Sequence, residues 1–242
     1  MHTRTVLADR HALIAPDGHV PSAFPGWENA TGFVILSPAM GADLSQILIT
    51  FESNEGSATF PADEHEHALY IETGSATIDI EDGESIALAT TGFIFIPPYT
   101  AFTLHGDEST RVTLFRKVYE PDPNLGLPPL IHGLASDVPD EPFLGHERAR
   151  LQTLLPIDPR YDLAINIFTY QPGATLPFVE THIMEHGLLM LSGQGIYRLE
   201  NAYYPVEAGD AIWMAPYCPQ WFAAIGDTPA SYLYYKNVHR LP

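Results

Sequence analysis

Apolar and polar residues alternate over short runs through most of the chain, and proline or glycine punctuates the runs about every 8 to 12 residues. The segments GFVILS, QILITF, ATIDI, GFIFIP, RVTLF, AINIFTY, GIYRL, AIWMA and SYLYY are rich in β-branched and aromatic side chains, which suit a pleated, half-buried surface. No long stretch carries the 3.6-residue period of an amphipathic helix. The pattern predicts an all-β fold of sandwich or barrel type with few short helices.

The pattern also repeats. GSATIDIEDGESIALATTGFIFIPPYTAF from Gly74 lies on GQGIYRLENAYYPVEAGDAIWMAPYCPQW from Gly193, at an offset of 119 that slips to 118 after the middle loop. TLFRK ending at Lys117 lies on YLYYK ending at Lys236, again at 119. Three blocks in order at nearly one offset indicate duplication. The expected organisation is an N-terminal barrel over 1–118, a connector over 119–147 and a C-terminal barrel over 148–242. The connector holds Pro121, Pro123, Pro128, Pro129, Pro139 and Pro142, a composition that resists helix and central strand. The first 55 or so residues have strand-like runs that complete the first barrel or pack across to the second.

Chemistry concentrates between Phe178 and Gly195, where Glu180, His182 and His186 share one parity. In an extended chain they project to one side and Glu185 to the other. Such donors on the inner face of a barrel would bind a metal and leave room for substrate. The string HIMEH also matches the H-x-x-E-H pattern of zinc peptidases. That reading needs a helix, which Pro177, Gly187, Gly193 and Gly195 oppose. The bland alternative is a set of hydrogen-bonded core side chains, costly unless something pairs them.

The duplication tests the site internally. With Gly74 on Gly193, His186 falls on His67, His182 on Asp63 and Glu180 on Pro61, so the first barrel is expected to be structural, with a degenerate site. Whether Asp63, His65 and His67 hold a second metal stays open at this point. A fourth ligand should come from a later strand of the second barrel, and Gln220 offers an amide oxygen where the first barrel has Phe102. A surface or hydrogen-bonded amide is the simpler reading of Gln220 taken alone.

Charge narrows the partners. Thirty Asp plus Glu against 11 Lys plus Arg give a formal net charge of −19, which disfavours nucleic acid and anionic membrane. Cys218 is the only cysteine, so no intramolecular disulfide and no thiolate cluster can form. With no signal-like apolar run near the start and no stretch approaching about 18 apolar residues, a cytoplasmic protein is expected.

The stretch ETHIMEHGLLMLSGQGIYRLENAYYPVEAGDAIWMAPYCPQWFAAIG, with APDGHVPSAFPGWENATGFVILSP near the start and YLYYKNVHR near the end, resembles the (S)-ureidoglycine aminohydrolase family of bicupins. The resemblance covers most of the chain and implies two jelly-roll cupin barrels. It implies manganese held by Glu180, His182, His186 and Gln220, and substrate contacts from Tyr197, Tyr232 and Lys236. It further implies a homo-oligomer in allantoin breakdown that releases ammonia from (S)-2-ureidoglycine to give (S)-ureidoglycolate. The sequence does not single out the group that moves the proton; Glu180 is a candidate only if it leaves the metal during turnover. Two imidazoles, a carboxylate and an amide oxygen suit an octahedral ion such as Mn²⁺, with Fe²⁺ or Ni²⁺ as alternatives. The histidines and acids of SATFPADEHEH depart from what the family leads one to expect. Rival readings are an iron-dependent cupin dioxygenase and a non-catalytic bicupin that binds a small metabolite.

Overall fold

The computed structural model describes residues 3–238; His239 and Arg240 of the C-terminal motif lie outside them. Among the described residues the only helices are three short 3-10 turns, and all other regular structure is strand. The chain forms two compact units, one of 20–137 with 157–161 and one of 3–19, 138–156 and 162–238.

The first unit holds a seven-stranded and a five-stranded sheet. Alternation is clear where one face meets the core, as in Gly56–Phe60 and Ser75–Ile80, while Gly92–Ile96 (GFIFI) is buried at every position. Its core gathers Ile49, Phe51, Ile71, Ile78, Leu104 and Leu114, and fully burying each such side chain contributes about 1.5–3 kcal/mol.

The second unit holds an eight-stranded and a three-stranded sheet. In the larger sheet Ala211–Met214, His186–Ser192, Ala230–Asn237 and Leu163–Tyr170 lie side by side and antiparallel. In the smaller, Gln194–Leu199 sits between Ala202–Glu207 and Gln220–Ile225.

Matching turns carry the repeat. Gly74 and Gly193 have φ of +78° and +69°, and a Cβ on either would stand 2.7 Å or 2.6 Å from a Cα of the facing strand, so only glycine fits. Tyr99 and Tyr217 both take left-handed φ. Their backbone N–H groups donate to the carbonyls of Asp63 and His182, which pairs Asp63 with His182.

The last block of the repeat is out of phase by one residue. His67 faces Arg116 across its strand pair, and His186 faces Lys236. The counterpart of Lys236 is therefore Arg116 rather than Lys117, the residue that sequence matching alone selects. Exposure agrees, because Lys117 is buried while Arg116 and Lys236 are both half-buried.

The division at 118 and 148 also differs from the observed grouping. His11–Ile14 pairs with Ala211–Met214 in the second unit. Within 119–147, Ile131–Leu134 extends the first unit's large sheet, and Glu141–Phe143 pairs with His146–Thr153 in the second. Proline is accommodated there because these are edge or near-edge strands.

His67 is 1% exposed, between the edges of Phe60 and Phe102, which stack at 4.6 Å. Neither ring nitrogen has a hydrogen-bond partner among the described residues, and burial, followed by the charge of Arg116, pushes its pKa down to about 3. The unfolded chain takes up this proton near the ordinary histidine value of about 6.5. Its contribution to stability is therefore complete above that pH and is lost as pH falls toward 3. Between pH 7 and pH 4 the loss should be on the order of 3 kcal/mol. Urea midpoints at the two pH values should fall less in His67→Leu than in the natural protein.

Candidate metal centre

The second unit brings the residues singled out in the sequence onto one cavity. Glu180, His182, His186, Tyr197, Gln220, Tyr232 and Lys236 all line a space of about 190 Å³. They come from separate strands and from the irregular segment before His186, which carries His182, with Glu180 in an isolated bridge to Gln220. Glu180 and Gln220 exchange both backbone hydrogen bonds, at 2.8 and 2.9 Å. His186 opens its strand opposite Lys236, and Tyr232 lies four residues earlier on that same strand.

The route to this convergence differs from the expected one. Residues 181–185 are irregular, so no single strand runs from Glu180 to His186, and no helix forms there to serve the peptidase pattern. The backbone instead leaves the Gln220 pairing and crosses to the His186 strand, with the His182 carbonyl held by the Tyr217 N–H at 2.7 Å. Glu185 is excluded from the cavity lining; its N–H donates to Asn237 Oδ1 at 2.7 Å.

His186 Nδ1–H donates to the Tyr235 carbonyl at 3.2 Å, which leaves Nε2 with its lone pair. His182 Nε2 lies 3.2 Å from that atom and accepts from the Gln220 amide, also at 3.2 Å. Two imidazole lone pairs thus face each other. Burial pushes the pKa of His186 down to about 3, with the charges of His182 and Lys236 acting in the same direction. Burial and then Lys236 also lower His182. Both rings are held neutral, as metal ligands must be.

Among the described residues, no three histidine, cysteine or carboxylate side chains form a metal-binding cluster. Glu180 lines the cavity but stands off from the imidazole pair, and the third group beside that pair is the Gln220 amide. Opposed lone pairs, an amide able to present oxygen and a carboxylate on the same cavity fit a hard or borderline divalent cation.

Burial raises Glu180 above the usual carboxylate range while Lys236 pulls it back; burial lowers Lys236 while Glu180 opposes that shift. Tyr197, Tyr232 and Tyr234 are all raised by burial, so each keeps its hydroxyl hydrogen. Tyr197 donates to Gln220 Oε1 at 3.2 Å, and the Tyr170 and Tyr232 hydroxyls are 3.1 Å apart.

Sequence reasoning missed the apolar wall of Phe143, Phe168, Met184 and Met214, and also Tyr234. Tyr234 was within reach, because it shares strand parity with Tyr232 and Lys236. The wall was not, because Phe143 and Phe168 meet the cavity only through pairing of distant strands.

In the first unit the corresponding place is already filled. Arg116 Nη2 donates to Asp63 Oδ2 at 2.6 Å and lies 3.0 Å from His65 Nδ1. Phe102 stands where the second unit has Gln220.

Two barrels of duplicated strands, one with imidazoles converging on an inner cavity, define a cupin protein of tandem type. The Cupin domain family profile matches residues 166–235. The chain is 39% identical to the probable (S)-ureidoglycine aminohydrolase of Oryza sativa subsp. japonica, covering 99% of this chain and 77% of that protein. It is 38% identical to the (S)-ureidoglycine aminohydrolase of Arabidopsis thaliana, covering 99% and 80%. The crystal structure of protein Ylba from E. coli superposes with a TM-score of 0.88 at 31% identity, covering 99% of this chain and 96% of that one. The chain belongs to the (S)-ureidoglycine aminohydrolase family, enzymes with a cupin-type metal cofactor. Among the described residues no helix is long and apolar enough to cross a membrane.

Proposed function

We propose that this protein is a manganese-dependent hydrolase that replaces the amine of (S)-2-ureidoglycine by hydroxyl, one C–N bond breaking and one C–O bond forming, to release ammonia and (S)-ureidoglycolate. The observation that carries the reading is the convergence of Glu180, His182, His186, Gln220, Tyr197, Tyr232 and Lys236 on one small cavity in a chain of this family. Glu180, His182, His186 and Gln220 would hold the ion, which when bound supplies Lewis acidity and a template for orienting substrate.

The chain's own groups do the rest. Lys236 is the only Lys or Arg among the described residues lining the cavity, and it pairs the substrate carboxylate. Tyr197 and Tyr232 present hydroxyls to the ureido and carboxylate oxygens. Phe143, Phe168, Met184 and Met214 add apolar lining, which excludes water and strengthens these polar contacts. Glu180 is the only carboxylate among the described residues lining the cavity, so proton transfer to the departing amine falls to it while it is off the metal. The same reading makes the protein a homo-oligomer, which the exposed apolar side chains of Phe178, Ile183 and Tyr217 near the site favour.

The test is ammonia release from freshly generated ureidoglycine by manganese-loaded protein under anaerobic conditions. Turnover without oxygen is expected. Turnover only with iron and oxygen would instead make the protein a dioxygenase, and tight binding without turnover would make it a metabolite-binding bicupin.

A further inference from the structure

The amide of Gln220 touches two different groups with its two ends. Its nitrogen faces His182 Nε2 at 3.2 Å, and its oxygen accepts the Tyr197 hydroxyl at 3.2 Å. Gln220 is 3% exposed and Tyr197 1%, so bulk water is a poor replacement for either partner. An amide has a donor end and an acceptor end, and its nitrogen has no lone pair to offer a hard cation. An ion beside His182 and His186 can therefore be met only by the oxygen.

Turning the oxygen toward the imidazoles turns the NH₂ toward Tyr197. The phenol oxygen must then accept, and its one hydrogen loses the acceptor it had. A donor facing a donor in a buried site costs about 1–3 kcal/mol if left unresolved, so the hydroxyl hydrogen has to rotate away from Gln220. Tyr197 lines the cavity and its hydroxyl neighbours that of Tyr232, whose own partner is Tyr170 at 3.1 Å. The freed hydrogen is delivered either into the cavity directly or along this phenol chain to Tyr232, which also lines it.

We infer that Gln220 is a polarity switch: metal loading reverses the Gln220–Tyr197 hydrogen bond and releases a phenol hydrogen to an acceptor oxygen of the substrate. The inference rests on the proposed ligand set. It adds an order of events, in which the metal-free protein lacks one donor that the loaded protein presents.

Neutron diffraction from deuterated crystals, without metal and soaked in Mn²⁺, reads the switch without any activity measurement. In the metal-free crystal the Tyr197 deuteron should point at the Gln220 oxygen. In the loaded crystal the Gln220 ND₂ should point at Tyr197, whose deuteron points elsewhere. An ion bound by the quartet with Tyr197 still donating to Gln220 would overturn the switch alone. An ion bound without Gln220 would overturn the ligand set and the switch together. Gln220→Glu gives an independent check, because a carboxylate accepts at both ends. This variant should retain Mn²⁺ and keep Tyr197 as donor to residue 220 when loaded, with KM for ureidoglycine raised by about tenfold. Retained metal with an unchanged KM would count against the switch.

Discussion

Lys236→Met is expected to keep the metal and to lower kcat/KM for ureidoglycine by about 10²- to 10³-fold, the equivalent of about 3–4 kcal/mol. Methionine reproduces the length and apolar stem of lysine, so packing on the strand Ala230–Asn237 survives. What disappears is the only ammonium or guanidinium group among the described residues lining the cavity, in a chain of net charge −19. A substrate carboxylate would then enter a partly desolvated space beside Glu180 with no compensating charge on the protein's side chains. Loss of Lys236 also removes the influence that pulls Glu180 down, so Glu180 holds its proton to higher pH. Metal content and ammonia release should therefore both be measured across a range of pH, which separates protonation of Glu180 from loss of the Lys236 charge. Wild-type kcat/KM in this variant would remove Lys236 from the site.

Much of this site is legible in the sequence because its residues announce themselves locally. Gly193 and Gly74 mark turns that no other residue fits, and they fix the register that puts Phe102 against Gln220 and Asp63 against His182. Glu180, His182 and His186 line one cavity, but strand parity is not the cause, because residues 181–185 are irregular and carry the chain from the Gln220 pairing to the His186 strand.

The rest depends on pairing between distant segments. Matching TLFRK to YLYYK selects Lys117, since letters align more readily than burial does. Only the strand pairing shows that Arg116 opposes His67 as Lys236 opposes His186. The pairing of His11–Ile14 with Ala211–Met214 spans some two hundred residues, and short apolar runs do not specify such a partner. The same holds for the 119–147 segment, whose prolines suggest a connector but sit on edge strands of the two units.

The central claim is that one divalent ion binds in the second unit and none in the first. In the second, neutral imidazoles converge with the Gln220 amide. In the first, Arg116 already supplies positive charge to Asp63 and His65, and His67 is enclosed by aromatic rings. A guanidinium 2.6 Å from the only carboxylate of that cluster leaves a metal to compete against a cation that cannot be deprotonated.

His186→Ala should cost more affinity than the roughly 10- to 100-fold lost with an outer partner of a metal ligand, because it removes a ligand itself. His67→Leu should cost none. Elemental analysis after exhaustive dialysis decides the matter on three proteins: the account predicts one manganese per chain in the natural protein and in His67→Leu, and close to none in His186→Ala. Metal retained by His186→Ala, or lost from a folded His67→Leu, would contradict it.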